Sequence, residues 1–189
     1  VEIFERDRVF YETSNGGITL SGGEPLFQQE FALAVLAESK RRGLHTALET
    51  TLSVSPRLLE SALPYVDHFL TDIKLWDSAE HRRIVGVDNT PILENIRRVA
   101  ETEGSDLTVR IPLIPGITTR EENIAATAAF VATLPGDVPL ELINFNPLAS
   151  GKYLALDQEY EFASYTSPLP EAELREYAEI ARTQGARVV

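Results

Sequence analysis

Short apolar runs alternate along the chain with longer stretches whose apolar positions recur at helical spacing. Gly17 to Leu20 reads as a short strand ending in the glycine turn Ser21-Gly22-Gly23. Phe27 to Arg42 follows as a helix, with Phe31, Leu33, Ala34, Val35 and Leu36 as its apolar stripe, and Gly43 stands where a helix C-terminal glycine belongs. His45 to Glu49 is the next strand. Ser55-Pro56, a capping residue followed by a first-turn proline, opens a helix through about Leu63. Val66 to Lys74 is a third strand, followed by helices over Ser78 to Ile84 and Thr90 to Glu103. Leu107 to Ile114 is a fourth, closed by Pro115-Gly116, and Thr119 to Leu134 is a helix capped by Thr118 or Thr119. Leu140 to Phe145 is a fifth strand, and Glu171 to Gln184 forms the last helix before Gly185. The loop from Ala149 to Ser167, with Lys152, Tyr153, Tyr160 and Tyr165, is a docking face, a lid or a plain connection.

Strands alternating with helices predict right-handed βαβ units and a parallel sheet in one α/β domain. In such folds polar chemistry gathers at the carboxyl ends of the strands. That rule alone selects Gly22-Gly23-Glu24, Glu49-Thr50, Asp72 to Lys74, Arg110 and Asn144 to Asn146 as a converging set.

Composition narrows the function. The 189 residues carry a formal charge of −12, which repels phosphate backbones and argues against a nucleic-acid partner. No apolar run approaches the roughly 20 residues of a membrane span. The first ten residues, which include Glu2, Glu5, Arg6, Asp7 and Arg8, are too charged for a signal peptide, so a cytoplasmic setting is expected. There is no cysteine. Within these residues that excludes disulfides, thiolate metal sites and a protein-held iron–sulfur cluster.

The candidate residues have bland and sharp readings side by side. Gly22-Gly23-Glu24-Pro25 is either an ordinary tight turn or a backbone cradle for a ligand, and it lacks the third glycine of a dinucleotide fingerprint. Asp72 and Lys74 point to one side of a strand, where they form a structural ion pair or bind a zwitterion together. Glu49 is their lateral neighbour and suits a ligand ammonium or a bound cation, while Thr50 or Thr51 suits a cap. His45, His68 and His81 stand in no metal-binding spacing and read as structural or surface groups. No Gly-x-Ser-x-Gly elbow is present.

Taken in order, the segments resemble one family. Gly16 to Leu26 (GGITLSGGEPL), Asp72 to His81 (DIKLWDSAEH), Gly86 to Ile96 (GVDNTPILENI) and Arg110 to Thr118 (RIPLIPGIT) resemble the glycyl radical enzyme activating enzymes, which include the pyruvate formate-lyase activating enzymes. The match runs from about Asn15 to the C-terminus. It implies an incomplete (β/α)6 TIM-like barrel of the radical S-adenosylmethionine type with the first strand missing, a single partial domain spanning 1–189. In that family a Cys-x3-Cys-x2-Cys loop holds a [4Fe–4S] cluster that chelates S-adenosylmethionine. Reductive cleavage of the ligand gives a 5′-deoxyadenosyl radical, which takes hydrogen from a glycine of the partner enzyme.

By resemblance Ser21, Gly22, Gly23 and Glu24 contact the methionyl end of S-adenosylmethionine. Glu49, Thr50, Asp72, Lys74 and Arg110 stand at the family's ligand positions, with Lys74 on the ligand carboxylate. Asn146 replaces a ribose-side histidine. The chain as given has no cluster cysteine and hence no metal or catalytic residue of the family kind. It is therefore expected to be inactive alone and to self-associate through the open edge at Gly17 to Leu20. A non-catalytic ligand- or partner-binding remnant, and a divalent-metal α/β-barrel lyase or isomerase using Glu24, Glu49 and Asp72, stay open as alternatives.

Overall fold

Alternating burial along the strands sorts the chain into two faces, one apolar and one polar. A computed structural model describes residues 1–149, 157 and 164–189. The elements run α1 (Arg8–Ser14), β1 (Ile18–Leu20), α2 (Gln29–Arg41), β2 (Thr46–Glu49), α3 (Pro56–Ala62), β3 (His68–Asp72), α4 (Ser78–Val85) and α5 (Thr90–Ala100). They continue with β4 (Asp106–Pro112), α6 (Glu121–Ala132), β5 (Pro139–Ile143), α7 (Glu171–Thr183) and β6 (Arg187–Val188). The six strands are all parallel and lie in chain order. Right-handed crossovers in that order put the described helices between successive strands on the same face. Among the described residues the sheet is open, as an incomplete barrel requires: β1 and β6 are its edges and do not pair with each other.

The helix-covered face is the core. Leu48 aligns with Phe69 and Phe69 with Leu107, while Val109 aligns with Leu140. These residues join Leu36 of α2, Leu59 of α3, Ile96 and Val99 of α5, Ile124 and Ala128 of α6 and Ala181 of α7 in one buried cluster. The opposite face carries the other parity, with Glu49 beside Leu70 and Asp72 beside Arg110. Period two therefore delivers the polar set to the inner wall of the half-barrel.

Local signals account for most boundaries. Gly43 and Gly185 take positive φ after α2 and α7. The Ser55 hydroxyl accepts from the Leu58 amide, with Pro56 opening α3. Four expectations need correction. Phe27 to Gln28 belong to a short 3-10 turn rather than to the helix. Phe31 is 66% exposed, because the buried stripe of α2 is Ala32, Leu36 and Ser39, and Phe31 lies about 100° around the helix from Ala32. Neither Thr118 nor Thr119 caps α6, whose N-cap is Arg120 without a side-chain bond. Their hydroxyls instead fix the preceding loop, Thr118 accepting from Ile114 N and Thr119 from Gly116 N. Finally, β6 is an unforeseen sixth strand, with Val188 beside Leu140.

At Gly17 an added Cβ would lie 2.1 Å from the His45 carbonyl oxygen, so β1 and β2 approach too closely for any side chain there. Gly17→Ala is expected to cost about 3 kcal/mol, the upper end of overpacking penalties, because the obstacle is backbone. Urea unfolding checks it, and an unchanged midpoint would show that β1 does not hold this register. Among the described residues no helix is long and apolar enough to cross a membrane.

Candidate ligand site at the carboxyl ends of the strands

The loop after each of the first three strands and the wall of β4 close around a small cavity of about 180 Å³, lined by Gly22, Gly23, Glu49, Thr50, Thr51, Asp72, Lys74 and Arg110. Arg110 organises it. Its Nε donates to Asp72 Oδ1 at 2.9 Å, and its terminal nitrogen reaches Glu49 Oε1. Lys74 Nζ lies 3.2 Å from Asp72 Oδ2, and Ser21 donates its hydroxyl to Glu49 Oε2 at 2.5 Å. Two carboxylates and two cations thus share one wall. Such a charge-balanced wall suits a zwitterionic ligand, which offers one group of each sign.

The Ser21 hydroxyl bond, followed by that from Arg110, holds the Glu49 carboxyl below its ordinary value of 4.5, against the opposing effect of burial. A depressed carboxylate contributes stability that is fully present above its unfolded pKa and lost as pH falls through the folded one. Stability is accordingly expected to be flat in this respect above pH 4.5 and to decline below it. Glu49→Gln should remove that part of the decline. Chemical unfolding of both proteins between pH 3 and 7 tests this, and parallel profiles would refute it.

Glu24, expected as a ligand contact, is held by a dense set of bonds within the chain. Its carboxylate accepts from Leu26 N, from the hydroxyls of Thr50 and Thr51, and from Thr51 N, at 2.6–3.0 Å. It does not line the cavity. Glu24 is a brace that ties the glycine turn after β1 to the loop after β2. The turn itself requires glycine at 22, where φ is +147°. A Cβ at Gly22 or Gly23 would meet nothing within 4 Å, so the backbone here is open to a ligand.

Of the remaining expected residues, Asn144 and Asn146 stand apart from this cavity. Asn144 exchanges two hydrogen bonds with the backbone of Leu169, and exposed Asn146 accepts from Leu148 N. Lys152, Tyr153 and Tyr160 lie outside the described residues, while Tyr165 packs edge-on against Phe145 at 5.9 Å. His81 is buried with Nδ1 2.7 Å from Val87 O, a structural role. Glu49 and Asp72 are both committed to Arg110, so a divalent cation on Glu24, Glu49 and Asp72 would have to displace these bonds.

Sequence reasoning assigns no role to the asparagines behind the site. Asn123 accepts from Trp76 N and donates to Lys74 O and Thr118 O. Asn89 donates to Leu75 O and Trp76 O, and Asn95 to Leu52 O and Val54 O. Each fastens a loop at the carboxyl end of a strand, and Asn123 joins two of them. The legible signal is an asparagine on the apolar stripe of a helix, as at Asn95 between Ile92 and Ile96.

Comparison with known proteins identifies the family of this fold. The Radical SAM superfamily profile matches residues 2–128. An isethionate sulfite-lyase activating enzyme of Nitratidesulfovibrio vulgaris is 42% identical over 163 residues, 86% of this chain and 52% of that protein. A 4-hydroxyphenylacetate decarboxylase activating enzyme of Clostridioides difficile is 34% identical over 186 residues, 98% of this chain and 58% of that protein. A solved domain of a pyruvate-formate lyase-activating enzyme from Bacteroides vulgatus superposes with a TM-score of 0.74 at 30% identity, over 92% of this chain and 98% of that one. The chain spans about half the length of the curated relatives it matches. With the family profile matching residues 2–128 and a solved relative sharing the fold over 92% of the chain, this chain belongs to the radical SAM superfamily.

Proposed function

We propose that these residues form the S-adenosylmethionine-binding part of a glycyl radical enzyme activating enzyme, which acts on a glycine of a partner protein. The observation that carries the reading is the cavity at the ends of β1 to β4. There an open glycine backbone faces one wall in which Lys74 and Arg110 are paired with Glu49 and Asp72. Lys74 offers its ammonium to the ligand carboxylate, the acidic pair faces the ligand ammonium, and Gly22 and Gly23 bring main-chain groups within reach. Thr50 stands in the lining with them, while Ser21 and Glu24 orient these groups from behind.

The residues fit S-adenosylmethionine and do not fit the cluster. There is no cysteine to supply thiolates, and among the described residues no group of three or more His, Asp or Glu side chains is arranged to hold a metal ion. The cluster of the activating enzymes must then be held by thiolates from outside these 189 residues. When bound with such a cluster, S-adenosylmethionine supplies the hydrogen-abstracting chemistry. This chain supplies the pocket wall and the open inner face against which a partner's glycine loop would lie.

Titration of S-adenosylmethionine into the chain tests the ligand assignment. Saturable binding is expected, weakened at least tenfold, about 1.4 kcal/mol, by Lys74→Met with the fold unchanged. No binding at millimolar ligand, or full affinity in the variant, would overturn it.

A further inference from the structure

The loop after β2 contains a conformation that its own sequence disfavours. Leu52 has φ +54° and is fully buried. A γ-branched apolar side chain has no local hydrogen bond to offset the left-handed region, unlike asparagine or aspartate. Such a residue persists only where its surroundings over-determine it. Here the surroundings are the buried core cluster that the Leu52 side chain joins and, on its main chain, one polar side chain from α5. Asn95, 1% exposed, donates from Nδ2 to Leu52 O and to Val54 O, both at 2.9 Å.

That amide is itself an unusual choice. It sits on the buried stripe of α5 with Ile92, Ile96 and Val99, and asparagine is a poor helix former. Its Oδ1 is buried with no hydrogen-bond partner. A leucine would pack there with no orphaned acceptor, so the stripe alone does not explain asparagine. The two donor bonds do.

The consequence reaches the cavity. Leu52 N donates to Thr50 Oγ1 at 3.2 Å, and that hydroxyl lies 2.9 Å from each Glu24 oxygen. Thr51 donates to Glu24 from both its amide and its hydroxyl. We infer that Asn95 is a positioning residue of the ligand site: its amide pins Leu52 in the left-handed conformation and thereby presents Thr50 and Thr51 to Glu24 and to the cavity. This rests on the reading of the cavity as the ligand site, but the device itself is independent of the ligand's identity.

Amide hydrogen exchange on the whole chain tests the device without any ligand. In Asn95→Leu, exchange at Thr51 N–H and Leu26 N–H, both bonded to Glu24, is expected to rise at least tenfold, while amides joining β3 and β4 keep their protection. Adding Leu52→Gly, which accepts positive φ freely, should restore much of the lost protection relative to Asn95→Leu, even though the lost leucine lowers the melting temperature. Asn95→Ala takes the place of Asn95→Leu if leucine is not accepted by the fold. Unchanged exchange at Thr51 and Leu26 in the single variant would overturn the inference. So would a double variant no better protected than the single one, since either result would make Asn95 merely a core residue. A parallel titration with S-adenosylmethionine should show affinity lost and regained in the same order. Absence of binding already in the unmodified chain would refute the ligand assignment and leave the exchange result to decide the positioning role.

Discussion

Arg110→Met is expected to abolish ligand binding at the cavity and to lower stability by about 2–3 kcal/mol. The side chain of Arg110 is 13% exposed, and its guanidinium lies between Asp72 and Glu49, which are 22% and 38% exposed. Burial works against its charge, yet the bonds to Glu49 and Asp72 raise its pKa above the usual arginine value. Without it two carboxylates face each other with only Lys74 for compensation. Removing one partner of a fully buried pair costs ~3–5 kcal/mol, and solvent at Glu49 reduces that here. Glu49→Gln in the same background should recover about 1 kcal/mol, because it relieves the repulsion that Arg110→Met creates. Urea unfolding of the single and double variants measures the coupling. Additive losses would mean that the ion pairs do not communicate, and the proposed organising role would fall.

Glu24→Ala carries the second large effect. Four donor groups converge on this one carboxylate. Hydrogen bonds to a charged group are each worth about 1.5–3 kcal/mol, but they are not additive, and the orphaned hydroxyls can turn to water once the loops part. A net loss of about 3 kcal/mol is expected, with S-adenosylmethionine affinity falling as the glycine turn separates from the loop after β2. Glu24→Gln should lose less, since its carbonyl oxygen still accepts while its amide nitrogen opposes the remaining donors. Thermal unfolding and calorimetric titration read both quantities. Intact affinity in a stable Glu24→Ala protein would show that the glycine turn needs no brace.

Residue order makes some of this legible and hides the rest. Alternation of short apolar runs with helical periodicity locates β1 to β5 to within a few residues, because parallel strands buried under helices have strong local signals at both ends. Period two places Asp72 and Lys74 on one side, and the strand-end rule groups Gly22, Glu49 and Arg110 on residue order alone. The elements that escape such reading have weak local signals. The two residues of β6 are too few to show a period, and their strand character comes from pairing with β5. On α2, the size and hydrophobicity of Phe31 suggest burial, whereas the helix angle set by Ala32 and Leu36 turns that ring outward. The place of Glu24 in the glycine turn suggests a ligand contact. Besides the nearby Leu26 N, its partners within the chain are Thr50 and Thr51, 26 and 27 positions away. No local pattern carries that information, whereas the asparagine ties leave one trace, an asparagine on the apolar stripe of a helix as at Asn95.

The agreement between strand order and chain order also bears on how the domain is made. Each new strand joins the one finished just before it, so the sheet can lengthen from β1 towards β6 as the polypeptide leaves the ribosome. No strand must wait for a distant successor before it pairs, and the entropic cost of closing each loop stays that of a single crossover. The growing edge is nevertheless bare at every stage. A pause in synthesis after α5 would leave β3 without the partner that Asp106 to Pro112 later provides. Asp72 would meanwhile lack its guanidinium partner, and the half-made ionic wall would discourage premature stacking of apolar surfaces until Arg110 arrives.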